Sequence, residues 1–329
     1  MIKKAFFILL IALFSSQILS AKVEKITYRN WNDCYRISND SITVIINASA
    51  GGRIMVYERN GINVVYENPD QDGLLLKDYL KVGFDPDGGR FDYGQEEITR
   101  NIHAGTYMGP WIGTIVNNYC LEINSVEDKD LGILSSRIFS LDPNSSKLRI
   151  TQTMKNISDK PSEYFFWGRT LVKTGGKLFM PINPESQIPG EWGRYIWGKP
   201  EKFENDPNDP GVAITDNIFS LNPEIAGNAK YGNDSRAGWM AYGYKSLLFI
   251  KKYGYFPKEV YTEKYGLTNI FYTNKNAFAE MEPISPTAYL KPGEFYSYTE
   301  DWFLLEYSPC SETDFNVTKA KLFLLKQTE

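Results

Sequence analysis

The feature that most constrains the fold is a repeated alternation of short apolar runs with turn residues. Runs rich in β-branched and aromatic residues recur along the 329-residue chain and are separated by Gly, Asn, Asp and Pro. This pattern is typical of β-strands joined by tight turns. Asn60 and Gly61, between two such runs, predict a hairpin. The predicted strands are 41–46, 53–59, 63–66, 133–141, 148–156, 164–172, 239–244, 247–253, 267–274, 277–283 and 295–306.

Helical periodicity is scarce. It predicts one short amphipathic helix at 317–327, with a weaker candidate at 74–81. Many strands and few helices predict an all-β protein, a large sandwich or barrel. No flexible linker divides the chain, so we expect one β domain over 22–308 and a tail over 309–329 that carries the short helix. The longest irregular segment, 181–216, contains Trp192, Tyr195 and Trp197, which favour an ordered functional rim over disorder.

The N-terminus predicts export. Lys3 and Lys4 precede an apolar stretch over 5–14 and a short end of small and polar residues over 15–21. This is typical of a cleavable signal peptide over 1–21 and is too short to span a membrane. No later stretch is long and apolar enough for a span. We therefore expect a soluble, monomeric protein in the periplasm or outside the cell.

Composition excludes several classes of function. The 36 basic and 40 acidic residues argue against nucleic acid as a partner. One histidine and three cysteines leave little material for a metal site, so we expect no metal and no cofactor. Cys34, Cys120 and Cys310 permit one disulfide in an oxidising compartment, and the pairing stays open. Buried structural thiols are the favoured interpretation.

A pair of acidic residues on one predicted strand is the first candidate for chemistry. Strand alternation over 277–283 puts Glu280 and Glu282 on one face and Ala279 and Met281 on the other. Two neighbouring carboxyl groups favour holding one of them protonated, which suits general acid and base catalysis. The alternative is a solvated polar face opposite a buried one.

Two further sets of residues suggest a binding pocket. His103 is the only side chain that ordinarily titrates near neutral pH, and it lies in a loop rich in glycine. It is a candidate ligand-binding or acid–base residue, with a hydrogen-bonded structural role as the alternative. Trp111, Trp167, Trp192 and Trp197 offer flat rings that stack on sugar faces. Burial in a β core is favoured for any one of them, except for the loop pair Trp192 and Trp197.

Several sequence blocks occur in an order that resembles a known family. They are Ala50-Gly51-Gly52-Arg53-Ile54, the turn Asn156-Ile157-Ser158-Asp159-Lys160-Pro161, Phe166-Trp167-Gly168-Arg169-Thr170 followed by Gly175-Gly176 and Pro181-Ile182-Asn183-Pro184, and Glu280-Met281-Glu282-Pro283 followed by Leu290-Lys291-Pro292-Gly293-Glu294 and Thr299-Glu300-Asp301-Trp302. Over residues 25–306 this order resembles the galactose mutarotase-like superfamily, and within it the DUF4380 proteins.

The resemblance implies a β-supersandwich with a sugar-binding cavity on a concave sheet. It gives Glu280 the role of the base that takes the anomeric hydroxyl proton, and makes Glu282 a second polar residue of the cavity. Arg169 stands where the family carries its catalytic histidine. Its guanidinium stays protonated, so it is expected to bind substrate without acting as an acid. His103 lies near the position of a second, substrate-binding histidine.

The resemblance therefore implies an exported carbohydrate-binding protein, and in its enzymatic form an isomerase of the aldose 1-epimerase type. The alternatives are a lyase or hydrolase acting on a polysaccharide, and a non-catalytic adhesive or structural β-sandwich.

Overall fold

The computed structural model describes residues 22–99, 104–198, 201–275 and 277–307. The predicted signal peptide, His103, Cys310 and the predicted helix at 317–327 lie outside the described residues. In chain order the strands are β1 (Lys22–Tyr28), β2 (Trp31–Ser38), β3 (Ile42–Asn47), β4 (Arg53–Arg59), β5 (Ile62–Asn63), β6 (Asp92–Gly94), β7 (Trp111–Asn117), β8 (Cys120–Ser125), β9 (Ile133–Leu141), β10 (Leu148–Asn156), β11 (Ser162–Trp167), β12 (Thr170–Lys173), β13 (Lys177–Pro181), β14 (Gly193–Ile196), β15 (Lys202–Glu204), β16 (Val212–Thr215), β17 (Ile218–Leu221), β18 (Ala229–Asn233), β19 (Trp239–Tyr244), β20 (Leu247–Tyr253), β21 (Asn269–Asn274), β22 (Phe278–Pro283), β23 (Ala288–Leu290) and β24 (Phe295–Glu306).

The helices of the described residues are short. They are α1 (Leu76–Val82), α2 (Glu96–Thr99), α3 (Ala104–Met108) and α4 (Pro223–Ala226), with 3₁₀ turns at Pro69–Gln71, Pro189–Glu191 and Lys264–Gly266. None of them is long and apolar enough to cross a membrane.

The strands form four sheets. The largest has ten strands in the order β16-β17-β13-β19-β20-β24-β10-β9-β8-β7, and the next has six in the order β12-β22-β21-β18-β14-β15. A five-stranded sheet runs from β1 to β5 in sequence order, and a three-stranded sheet has the order β23-β11-β6. Isolated bridges join Ile54 to Gly89, Gly89 to Thr170 and Trp167 to Ile284, so the three smaller sheets meet one another.

One large apolar core lies between these sheets. It draws buried side chains from all four, such as Ile46 of β3, Phe139 of β9, Phe166 of β11 and Met281 of β22. Burial of this much apolar surface is the main stabilising contribution to a fold of this kind. The predicted all-β sandwich is therefore confirmed.

Six predicted strands occur with the predicted bounds, namely 53–59, 133–141, 148–156, 239–244, 247–253 and 295–306. Three predictions were wrong. The predicted strand at 63–66 is not formed beyond Asn63, where β5 ends. The predicted strand at 164–172 is divided into β11 and β12, and the segment 181–216 is not irregular, because it contains β14, β15 and β16. The weak helical candidate at 74–81 occurs as α1.

Cys34 and Cys120 are free thiols in the structure. Cys34 is buried, and burial raises the pKa of its thiol to about 12. A thiol with so high a pKa is a poor nucleophile, which agrees with the structural role favoured from the sequence.

Candidate functional site

The two acidic residues of β22 lie on the face that points away from the central core. Ala279 and Met281 alternate with them and belong to that core. In the register of the sheet, Glu280 lies opposite Tyr272 of β21 and Glu282 lies opposite Ile270. Both carboxyl side chains are almost completely buried, with exposures of 0% and 1%. The alternative of a solvated polar face is therefore wrong.

A cavity of about 740 Å³ opens at this face. β22, β21 and β18 supply one wall with Glu282, Phe278, Tyr272, Asn274 and Lys230. The remaining lining comes from the segment between β5 and β7, from the end of β11 and from the chain that follows β14: Asn68, Gln71, Tyr79, Phe84, Asp85, Asp92, Tyr93, Thr99, Tyr107, Trp167, Arg169 and Trp197. The volume is in the range typical of small-molecule sites.

Arg169 is the centre of an ion-pair cluster at this cavity. Its Nε lies 3.1 Å from Glu280 Oε2, and its Nη1 lies 3.2 Å from Asp92 Oδ2. Arg90, which is buried, lies 3.7 Å from Glu280 and 2.9 Å from Asp85. Glu280 itself is not part of the cavity lining, because Arg169 covers it, whereas Glu282 reaches the cavity.

The surroundings shift the pKa values of the two carboxyl groups in opposite directions. Burial raises the pKa of Glu282 to about 8, and the negative charge of Glu280 adds to this effect. Burial acts on Glu280 too, but the guanidinium groups of Arg169 and Arg90 outweigh it and lower its pKa. Near neutral pH the pair therefore holds one proton on Glu282 and one negative charge on Glu280.

Trp167 fixes the protonated member of the pair. Its indole Nε1 donates a hydrogen bond of 2.8 Å to Glu282 Oε2. Two cations contact the ring, with Arg169 Cζ at 5.1 Å and Lys230 Nζ at 4.7 Å from its centroid. Cation–π contacts of this kind hold the ring and both basic side chains in place.

A buried lysine supports the backbone beneath these residues. Lys251 Nζ of β20 donates to the carbonyl oxygens of Gly168 and Met281, at 2.9 and 3.3 Å, and to Thr170 Oγ1 at 3.0 Å. It also forms an ion pair of 3.2 Å with Glu300 Oε2. These contacts tie the break between β11 and β12 to the ten-stranded sheet. Trp167 ends β11 just before the break, and Arg169 lies within it.

The other residues proposed from the sequence are distributed differently. Trp197 lies at the cavity with 55% of its surface exposed. Trp192 is buried and packs against Phe219 and Tyr231, with ring centroids at 5.1 and 6.0 Å. Trp111 is also buried, and Arg137 lies 4.2 Å from its ring centroid. His103 lies outside the described residues.

Sequence reasoning did not select several residues that line the cavity. Asp85, Asp92 and Lys230 supply its charges, while Tyr272 and Phe278 supply rings. Both lie within predicted strands; alternation along β22 puts Phe278 on the face of the carboxyl pair, whereas the position of Tyr272 opposite Glu280 depends on strand register. No group of three or more His, Cys, Asp or Glu side chains among the described residues is arranged to hold a metal ion.

Comparisons with known proteins bear on the fold. No family model and no curated protein matches the chain. Among solved structures, a galactose mutarotase-like protein from Lactobacillus casei is 12% identical with a TM-score of 0.56, covering 83% of this chain and 100% of its own. The chain has the galactose mutarotase-like fold.

Two further solved structures share it. A galactose mutarotase-like protein from Clostridium acetobutylicum is 10% identical with a TM-score of 0.55, covering 87% of this chain and 99% of its own. The galactose 1-epimerase from Lactobacillus acidophilus is 12% identical with a TM-score of 0.53, covering 88% of this chain and 100% of its own. At this level of identity the likeness concerns the fold, and the function must be argued from the site.

Proposed function

We propose that the protein binds a sugar in this cavity and that the Glu280–Glu282 pair exchanges protons at its anomeric centre, as in an aldose 1-epimerase. The observation that carries the proposal is a pair of adjacent buried carboxyl groups at the cavity, one of them covered by Arg169 and the other held by the Trp167 indole. Pairs whose surroundings separate their proton affinities are typical of acid–base sites.

The proposed step is a reversible opening of the sugar ring. Glu282 gives its proton to the ring oxygen as the bond from that oxygen to the anomeric carbon breaks. The anomeric hydroxyl loses its proton to the pair, whose negative charge is centred on Glu280, and the electrons of that O–H bond form the carbonyl double bond. The pair carries one proton before and after the step. Rotation about the bond to the next carbon and ring closure by the reverse path give the other anomer.

This arrangement supplies its acid without a histidine. Arg169 stays protonated and stabilises the charge on Glu280, while the protonated Glu282 takes the place of the acid that Arg169 cannot provide. A carboxylic acid kept neutral by its surroundings is an established way to donate a proton near neutral pH.

Proton NMR of freshly dissolved single-anomer sugars tests the proposal, with hexoses, uronic acids and short oligosaccharides as the panel. We expect wild-type protein to accelerate anomer exchange with one of them, and Glu282→Gln and Glu280→Gln to lose at least a hundredfold of that rate, the usual contribution of general acid–base catalysis. Glu163→Gln, an exposed glutamate of β11, is the control and should keep the rate. Unchanged exchange by both variants of the pair would refute the catalytic role.

One observation favours a second candidate, a carbohydrate-binding protein without turnover. Arg169 Nε already forms a hydrogen bond of 3.1 Å with Glu280 and covers it on the cavity side. A bound sugar can therefore exchange protons with Glu280 only by way of Glu282. Line broadening of sugar signals without anomer exchange would select this candidate.

We also propose, from the sequence, that the protein is an exported monomer related to the DUF4380 proteins. The basic and apolar pattern of residues 1–21 supports cleavage of a signal peptide. Mass spectrometry of the N-terminus after expression in a secreting host tests this, and an intact Met1 in the exported fraction would contradict it.

A further inference from the structure

The cavity is longer than one sugar unit requires. Glu282, Glu280 and Phe278 follow one another at every second position of β22 and share its cavity face. At about 3.3 Å per residue, Phe278 lies roughly 13 Å along the strand from Glu282. A single pyranose ring placed at Glu282 would leave the Phe278 end of this wall without contact.

Three aromatic rings line the cavity from the level of Glu280 toward its Phe278 end. The Tyr272 ring lies 6.2 Å from that of Phe278 and 6.5 Å from that of Trp197, measured between centroids. All three line the cavity, and Trp197 keeps 55% of its surface exposed. An exposed tryptophan beside two partly exposed rings forms a surface on which the apolar faces of sugars stack.

The charges of the cavity favour a neutral ligand. Asp85 and Asp92 contribute two negative charges to the lining, and Arg169 and Lys230 contribute two positive ones. Glu282 is protonated near neutral pH, so it leaves this balance unchanged. A ligand with several carboxylates would meet no excess of positive charge to offset its desolvation.

We propose that the cavity takes the end of a neutral oligosaccharide, with its terminal unit at the Glu280–Glu282 pair and the following units against Tyr272, Phe278 and Trp197. The inference rests on the proposed function, because it assumes that the carboxyl pair meets the terminal sugar. It adds that the protein prefers a chain to a free monosaccharide.

Calorimetric titration with malto-, cello-, xylo- and galacto-oligosaccharides, from the monosaccharide to the hexasaccharide, tests the proposal. We expect one series to gain at least tenfold in affinity from the monosaccharide to the trisaccharide. Trp197→Ala should bring that ratio close to one. Tyr289→Ala removes an exposed ring of β23 that does not line the cavity, and it should leave the ratio unchanged.

The outcomes separate this inference from the proposed function. Equal affinity for monosaccharide and trisaccharide, or a ratio that Trp197→Ala does not change, would overturn the chain preference and leave the sugar cavity standing. Tighter binding of oligogalacturonides than of every neutral series would overturn the neutral class. Length-dependent binding without anomer exchange would support this inference and refute catalysis. Absence of binding by every saccharide would overturn the sugar cavity and this inference together.

Discussion

Lys251→Met should destabilise the protein more than any surface substitution, because it removes one partner of a fully buried ion pair. Lys251 and Glu300 are 0% and 1% exposed and lie 3.2 Å apart. Methionine leaves the Glu300 charge without its partner and leaves the Gly168 and Met281 carbonyl oxygens without the ammonium donor. Breaking a buried pair in this way costs about 3–5 kcal/mol in the free energy of unfolding.

Thermal unfolding followed by circular dichroism measures this effect. An unfolding entropy of about 2.1 cal/mol/K per residue makes each kcal/mol shift the midpoint of a chain of this size by about 1.5 °C, so a fall in Tm of about 5–8 °C is expected. Lys252→Met is the matched control, since Lys252 is the next residue on β20 and is partly exposed. The free energy of unfolding of this control should stay within about 0.5 kcal/mol of that of the wild type.

A double variant tests the physical reason. Lys251→Met combined with Glu300→Gln removes the unpaired charge, and the glutamine oxygen can still accept the hydrogen bond that Trp302 Nε1 donates to Glu300 at 2.8 Å. We expect the double variant to recover at least half of the lost stability. A loss below about 1 kcal/mol for the single variant, or a double variant no more stable than the single one, would refute the reasoning.

Two further predictions concern the carboxyl pair. Anomer exchange should fall about tenfold per pH unit above pH 8, where Glu282 loses its proton, and a rate measured from pH 6 to pH 10 that stays flat would contradict its role as donor. The same raised pKa means that the folded state holds a proton that the unfolded state releases, so the contribution of Glu282 to stability declines as the pH rises from its ordinary pKa toward 8. Arg169→Gln should raise the pKa of Glu280, because Arg90 alone then opposes the effect of burial, and carbon NMR of labelled glutamate carboxyls would measure it. Arg194→Gln, which alters an ion pair with Asp209, should leave that titration in place.

The strands were predictable where alternation and turn residues act locally. β9 and β10 alternate buried and less buried positions along their whole length, and each ends close to a turn. Their bounds follow from the residues themselves, because a half-buried antiparallel strand repeats every two residues. The same alternation placed Glu280 and Glu282 on one face.

The division between β11 and β12 was not predictable from the local sequence. The run 164–172 is rich in apolar and aromatic residues on both sides of Gly168, Arg169 and Thr170, and reads as one strand. The chain leaves the strand at Gly168 because the Gly168 carbonyl accepts from Lys251, and a Cβ at Gly168 would overlap Glu300. Both partners are distant in sequence, and only the tertiary fold brings them to Gly168.

The rings and charges of the cavity depend on strand register in the same way. Tyr272 lies opposite Glu280, and Lys230 of β18 lies opposite Tyr272, so three strands present one row of side chains. Nothing in the sequence specifies which residues of these strands pair. The burial of Trp192 has a related cause, since its partners Phe219 and Tyr231 belong to β17 and β18.

The break at Gly168 connects the stability of the fold to the chemistry of the site. Before the break, β11 pairs with β6, which carries Asp92; after it, β12 pairs with β22, which carries Glu280. Arg169 lies at the junction and binds both carboxylates, so a single guanidinium joins two sheets and sets the charge of the acid–base pair. Because Lys251 binds the residues on either side of Arg169 in the chain, Gly168 and Thr170, the ion pair that stabilises the sandwich also positions Arg169. A substitution that loosens the junction should therefore alter the titration of Glu280 as well as the unfolding temperature.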